Sequence, residues 1–330
     1  MIYNASLSSI LHTTNNYRLM INAFFLFIRL ATGTFSKRPD FDKPKNRFKF
    51  FLRGLLTFPY TLKWLYFLDN LLEYKEFLYE TPRLATKLHR PYIFSYSSLK
   101  ERLQILTSHY LFQRKVFSPA LQQLLLSLKS FELVSFIGKN DNEYKIILRQ
   151  NLILEKEGEL YLQLNVGENS LCTISFCFYE TAHGVAILIG GLQGSKHEDY
   201  NLIKEATKSC YGLFPKKILF EALMTFGDAL GINVIHAVSN EAHIFKHWRY
   251  NEEIFADYDS FWLELGARKI DKRLFEFTEP VYHKPVEMIE SKKRSEHKKR
   301  QLLLSEIKEQ IKCVIASQVL NKSTGDIERC

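Results

Sequence analysis

The chain has 330 residues, of which 46% are apolar, 14% aromatic and 25% charged, with only 14 Gly and 9 Pro. That composition excludes a disordered, collagen-like or low-complexity protein and suffices for one large core or two smaller ones. The net charge of +9 is concentrated at the ends: residues 1–60 carry nine Lys/Arg against two Asp, and residues 281–330 carry eleven against seven acids. The middle is slightly acidic, so attraction to a polyanion would act through the ends rather than the body.

Five cysteines, at positions 172, 177, 210, 313 and 330, form no CxxC pair and no zinc-type cluster, which argues for reduced thiols and no metal. The longest early apolar run lies between Arg18 and Arg29. It is about half of the roughly 20 residues a membrane-spanning helix needs. No such helix is expected, and with no secretory signal pattern the chain is expected to be cytoplasmic.

Residues 1–45 read as a poorly patterned basic segment ending in the Pro-broken linker KRPDFDKPK. Residues 46–130 read as a helical region. Within it Arg47–Leu68 interleaves Lys and Arg with Phe, Tyr, Trp and Leu, and Pro59 must bend or end any helix there. Such a pattern fits either a buried helix with snorkelling cations or a helix lying on a surface. Leu99, Leu103, Leu106 and Tyr110, then Leu121, Leu124, Leu125 and Leu128, recur at helical spacing, with Pro119 opening the second helix.

The period then changes to that of strands. Tyr144–Gln150, Glu159–Asn165, Leu171–Tyr179 and Val185–Ile189 are short β-rich runs separated by turn chemistry, an antiparallel meander. After the glycine turn IGGLQG come helices near Asp199–Cys210 and Lys216–Leu230, a strand over Asn233–Val238, a short helix from Asn240 to Trp248 and a strand near Leu274–Thr278. Ser291 opens a long helix with an apolar stripe through Leu304, Ile307, Ile311, Val314 and Ile315. The expected layout is therefore α+β (α/β): a mixed, mainly antiparallel sheet with flanking helices over 131–290, a helical N-terminal part, and a basic C-terminal helix and tail over 291–330.

Three features suggest binding. Gly191, Gln193 and Gly194 follow a strand, either as a structural turn or as a loop that lets a ligand approach the backbone. Gly212, Lys216 and Lys217 precede or open a helix, where the positive dipole end favours an anion. Lys292, Lys293, Arg294, Lys298, Lys299 and Arg300 crowd the start of the last helix, an arrangement that an acidic surface would relieve. The pair His243 and His247 lacks a supported third ligand, so no metal is expected. Nucleic acid is not expected either, because no stacking aromatics lie within the 291–300 run.

The ordered motifs RPY (Arg90–Tyr92), HY (His109–Tyr110), GEL (Gly158–Leu160), IGGLQG (Ile189–Gly194), TK…YG…PK (Thr207–Lys216), HAVSN (His236–Asn240), YDSFW…LGA (Tyr258–Ala267) and SKKR (Ser291–Arg294) resemble the VirK/YbjX family. That resemblance implies a Gram-negative bacterial protein tied to virulence, the cell envelope and resistance to antimicrobial peptides. The passage Tyr211–Phe245 is in addition similar to the core of GCN5-related N-acyltransferases, in which the turn before the helix holds the coenzyme A pyrophosphate. This second likeness implies an acyltransferase-like fold and acyl-CoA as ligand. Gly212, Lys216, Lys217 and Asn240 would then lie along the cofactor, Glu180 would serve as base, and Tyr250 or Tyr258 as proton donor. Pro215 departs from the pattern, since it removes an N–H that would face phosphate. The alternative is a non-enzymatic adaptor bound to anionic lipid or an envelope partner, peripheral at the inner membrane.

Overall fold

A computed structural model describes residues 16–36, 38–194, 200–250 and 256–320. The expectations for residues 1–15 and for the tail from 321 onward fall outside these residues. The chain divides into two compact units, Met1–Pro91 with Ser98–Leu103, and Tyr92–Ser97 with Gln104–Cys330.

Proline positions set the helices of the first unit. After α1 (Asn16–Thr32), α2 (Pro39–Asp42) and α3 (Pro44–Leu56) each start on a proline, and α4 (Phe58–Asn70) has Pro59 in its first turn; α5 (Leu72–Glu80) and a 3-10 stretch (Pro82–His89) follow. Proline is tolerated there because the first N–H groups of a helix have no partner to lose. The run Arg47–Leu68 is thus two helices broken at Thr57, whose backbone N–H and hydroxyl both donate to the Arg53 carbonyl, at 3.0 and 2.8 Å. Ala23, Leu26, Phe27 and Leu30 of α1 are buried, as are Trp64, Leu65 and Leu68 of α4. Gly54 sits in mid-helix because a Cβ there would overlap the Phe27 ring. The segment 1–45, expected to be poorly patterned, therefore contains α1. Its polar stripe is narrow, Arg18, Asn22 and Arg29 on one face, so the helix reads as little more than an apolar run.

The second unit is built on an eight-stranded sheet of order β1-β2-β3-β4-β5-β6-β8-β7. The strands are β1 (Phe131–Ile137), β2 (Glu143–Gln150), β3 (Leu160–Val166), β4 (Asn169–Thr181), β5 (Gly184–Gly194), β6 (Ile235–Val238), β7 (Arg268–Lys269) and β8 (Leu274–Phe277). All neighbours are antiparallel except β5 and β6. The helices are α6 (Leu99–Val116), whose first turn belongs to the other unit, α7 (Pro119–Leu126), α8 (Tyr200–Ser209), α9 (Pro215–Ala229), α10 (Tyr258–Glu264) and α11 (Arg294–Ala316). The fold is α+β with a mixed, mainly antiparallel sheet, as expected.

Helix α9 lies in the crossover between the two parallel strands, buries Ile218, Leu219, Phe220, Leu223 and Phe226, and packs against β3, β4 and β5. Helix α11 packs on α9 and β1 through Leu303, Leu304, Ile307, Ile311 and Ile315. Three sequence expectations need correction. Strand β5 does not stop at Ile189 but runs through the glycines to Gly194, so IGGLQG is strand and not turn. The stretch Asn240–Trp248 forms only a short 3-10 turn, Ile244–Lys246. Ser291–Lys293 is 3-10, and the α-helix begins at Arg294.

Candidate functional site where the parallel pair opens

Strands β5 and β6 pair over only three positions, Ile187 with Ile235, Leu188 with His236 and Ile189 with Ala237. Strand β5 then continues for five residues while β6 ends at Val238, so backbone groups of β5 past Ile189 must find other partners. The phenol of Tyr258 accepts from the Leu192 N–H at 3.3 Å. Its ring stacks on that of His243, with centroids 5.1 Å apart, and the imidazole faces the Gly190 carbonyl.

Glu157 completes this cluster from the other side. It is fully buried, accepts a hydrogen bond from Gln193 Nε2 at 2.8 Å, and has Oε1 3.5 Å from His243 Nε2. The glycines explain how a carboxylate comes so close to a strand. A Cβ at Gly190 would overlap the Glu157 carbonyl, and one at Gly191 would lie 2.5 Å from its carboxylate. The following Gly158 passes over β4, where a Cβ would meet the Phe176 backbone at 2.5 Å. The GEL and IGGLQG motifs are thus two halves of one packing arrangement.

Ile93 donates its N–H to the Lys156 carbonyl at 2.8 Å from a backbone held at φ 59°. That conformation is unfavourable for a β-branched residue and of the kind that collects near functional sites. Glu159 is also fully buried and accepts from the Tyr110 hydroxyl at 2.5 Å. Tyr92 next to it is held in its neutral form by burial first and by the Glu159 charge second. His109 Nδ1 accepts from the Phe178 N–H at 3.2 Å, two residues along β4 from the end of its ladder with β3.

Asn240 ties the end of β6 to the start of α10. Its Oδ1 accepts from the Tyr258 N–H at 3.0 Å, its Nδ2 donates to Asp257 Oδ1 at 2.9 Å, and its backbone N–H donates to Asp259 at 2.6 Å. Trp262 Nε1 donates to the Val238 carbonyl at 3.1 Å, a second tie. These bonds aim Tyr258 into the opening.

The electrostatics follow from burial. His243 is lowered to about 4, mainly by desolvation, so its imidazole is neutral at pH 7. Its Nδ1 accepts from the Phe245 N–H at 3.4 Å, which leaves the ring proton on Nε2, facing Glu157. Burial, and then the Glu157 charge, push the Tyr258 phenol far up. The opening therefore holds one protonated phenol and one carboxylate that accepts from Gln193 Nε2, with the His243 ring 3.5 Å away.

Of the residues singled out from sequence, Gly191, Gln193, Asn240 and Tyr258 come together here. Glu180 does not: it is exposed beside the β4–β5 hairpin, opposite Val185, six residues along β4 from the Ile174–Leu192 pair. That separation is roughly 20 Å at strand spacing. Tyr250 lies on the flank under Lys156, whose Nζ is 3.7 Å from the ring centroid. Sequence reasoning missed Glu157 and weighed His243 only as a metal ligand. The available signal was a pair of glutamates around a glycine, just ahead of an apolar strand.

The two anion candidates meet at the turn before α9. Arg300 of α11 donates to the Tyr211 carbonyl from Nε and Nη2, at 3.1 and 2.9 Å, and Lys299 lies 5.9 Å from the Tyr211 ring. A Cβ at Gly212, where φ is +78°, would meet that guanidinium at 2.8 Å. Lys217 pairs with Glu264 at 2.5 Å, whereas Lys216 lies beside Gly194, makes no ion pair among the described residues, and is lowered by burial. At the start of the C-terminal run, Lys292 and Lys293 lie 3.6 and 3.3 Å from Glu290, and Arg294 donates to the Ile289 carbonyl. Much of the adverse charge there is answered within the chain, and Lys298 remains exposed. Among the described residues no group of three or more His, Cys, Asp or Glu gathers at metal-binding distance.

Fold and site define an α+β protein with a buried acid–imidazole–phenol cluster at a split in the one parallel strand pair among the described residues. Residues 39–313 match the family described as "Protein of unknown function (DUF535)", and the chain belongs to that family. It is 32% identical over 296 residues to the uncharacterized protein YbjX of Escherichia coli K12, covering 88% of this chain and 90% of that one. It is 28% identical over 131 residues to an uncharacterized protein of Haemophilus influenzae Rd, covering 38% and 42%. Among solved structures, a mutant of a cAMP-binding acyltransferase from Mycobacterium smegmatis matches at 11% identity over 67% of this chain and 64% of that one. Its TM-score of 0.27 is too low to carry an argument.

Proposed function

We propose that the opening past Ile189 transfers an acyl group from acyl-coenzyme A to an amine. The observation that carries this reading is the convergence of a protonated phenol and an oriented carboxylate on a stretch of β5 that has left its β6 neighbour. Acyl-CoA supplies a thioester carbonyl, so that attack by an amine forms a C–N bond, breaks the C–S bond, and leaves a proton to remove from nitrogen and one to add to sulfur. Glu157 is the group to take the first proton, with Gln193 holding Oε1, His243 beside it and no side chain at Gly191 to screen it. The Tyr258 hydroxyl is the group to give the second.

The turn at Gly212 with Lys216 fits an anionic carrier by charge, because Lys216 has no carboxylate partner among the described residues and sits in the first turn of α9. Pro215 at the helix start limits the backbone donors to fewer than a full phosphate cradle. The envelope association implied by the VirK/YbjX resemblance makes amino groups of envelope components the first acceptors to try.

The test is thermal unfolding of the full chain with acetyl-CoA and long-chain acyl-CoA, combined with release of free coenzyme A thiol. A ligand of the folded state adds about 2.7 kcal/mol at a hundredfold excess over its dissociation constant. Stabilisation that falls in Lys216→Ala, with thiol release lost in Glu157→Gln and Tyr258→Phe, is the expected result. Stabilisation without thiol release would make the protein an acyl-CoA binder, and no stabilisation by any acyl-CoA would end the reading.

A further inference from the structure

Helix α1 buries one apolar face and exposes another. Opposite Ala23, Leu26, Phe27 and Leu30, the residues Ile21, Phe24 and Phe25 are 52, 42 and 58% exposed. Helix α3 repeats the arrangement: Phe50 and Gly54 are buried, whereas Phe48, Leu52 and Leu56 are 65, 48 and 78% exposed. The two helices pack on each other through Phe27, Phe50 and Phe51. Together they leave on the order of several hundred Å² of apolar surface uncovered, the size of patch that on a monomer is often an interaction site.

The charges around this surface have one sign. Lys45 and Lys49 are exposed on α3 and Arg53 follows in the same helix, whereas Asp42, at the end of α2, is already paired with Arg47 at 3.1 Å. Between the two helices a groove of about 360 Å³ is lined by Ile28, Ala31, Pro44, Phe48 and Phe51, with Arg47 among them. Large apolar side chains beside lysines are how a helix lies in the headgroup region of an anionic bilayer, the lysine stems covering apolar surface and the ammonium groups meeting phosphate. No helix among the described residues is long and apolar enough to cross a membrane.

We propose that α1 and α3 form a surface that docks the protein flat onto an anionic phospholipid bilayer. The proposal stands independently of the acyl-transfer reading. An apolar protein partner would leave Lys45 and Lys49 without complementary charge, and a second copy would bring like charges together.

The test is co-sedimentation of the full chain with vesicles of phosphatidylglycerol and phosphatidylethanolamine, and with phosphatidylcholine alone. The expected result is binding to the first and little to the second. Binding should weaken about tenfold or more in Phe25→Glu with Leu56→Glu, and by several-fold for each of Lys45→Gln and Lys49→Gln. All of these positions are exposed, and circular dichroism checks that the variants fold. Leu56→Trp gives a second measurement, in which brominated lipid should quench the added fluorescence. The proposal is overturned if the intact chain stays in the supernatant, if the glutamate variants bind as tightly as the parent, or if they only convert a dimer to a monomer.

Discussion

Phe178 in the second unit lies within 4.7 to 6.5 Å of the rings of His109, Phe112, Phe117, Phe176 and Phe226 and has no exposed surface. Phe25 and Phe48 in the first unit are more than half exposed, although the sequence around Phe25 is no less apolar. The difference is one of cover. In the second unit the sheet and α9 enclose Phe178 with Phe117, Phe176 and Phe226, whereas α1 and α3 each carry two apolar faces and find cover for one. Apolar content therefore marks a core in one region and an uncovered surface in the other.

The contrast is sharpest where a side chain is removed from the enclosed region. Phe178→Ala is expected to cost about 3–5 kcal/mol, since the rings around it belong to rigid elements that cannot close the cavity. Denaturant unfolding with an unchanged slope would measure it. A loss below about 1 kcal/mol would mean that the packing around Phe178 is as loose as that of the exposed helices.

Acid tests both units through their buried histidines. His89 in the first unit, 2.8 Å from the Thr61 hydroxyl, is lowered to about 4 by burial and then by Arg53, Arg102 and Arg90; His243 in the second is lowered to the same value by burial. Each is neutral when folded, and the unfolded chain takes up the proton at the ordinary histidine value near 6.5. Their contribution is thus fully present above about pH 6.5, falls as pH drops, and levels off below about pH 4, a loss on the order of 3 kcal/mol for each. Unfolding followed from about pH 7.5 to about pH 4 should show it. His243→Phe should flatten the second unit's part of that dependence, and a slope unchanged by that substitution would contradict the burial of His243.

At the site, Glu157→Ala leaves the Gln193 amide without its acceptor and opens a cavity beside His243 in a buried place. The expected cost is about 2 kcal/mol. Glu157→Gln keeps an acceptor oxygen and should cost less, while removing the proton acceptor the proposed chemistry needs. Equal losses in the two variants would point to a purely structural carboxylate.

Much of the fold was legible because local pattern and tertiary environment agree. Strand β2 alternates as a half-buried strand should, β4 and β5 read as the continuous apolar runs of strands covered on both faces, and α9 begins on Pro215. Legibility ended where long-range packing decides. Glycines suggested a turn at Gly190–Gly194, but they belong to a strand approached by Glu157, 33 residues before Gly190. Arg300 reaches Tyr211 across 89 residues. Tyr258, Gln193 and Asn240 were visible singly, and nothing in their spacing places Glu157 and His243 between them. Helix α1 was overlooked for a different reason: only Arg18, Asn22 and Arg29 mark its polar face, a stripe too narrow to stand out from a run of apolar residues.

The smallest expected effect is the one that separates the two regions most cleanly. Leu56→Ser changes a side chain that is 78% exposed, so it should alter unfolding free energy by no more than about 0.5 kcal/mol. Vesicle binding should nevertheless fall, because the leucine loses its apolar contact in the bilayer and not in the folded chain. An enclosed residue such as Phe178 must behave in the reverse way, with stability lost and the helical surface of the first unit untouched. If Leu56→Ser instead destabilised the free protein by about 2 kcal/mol or more, its side chain would already be covered in solution, and the contrast between an enclosed core and an open surface would fail at the position that exhibits it most strongly.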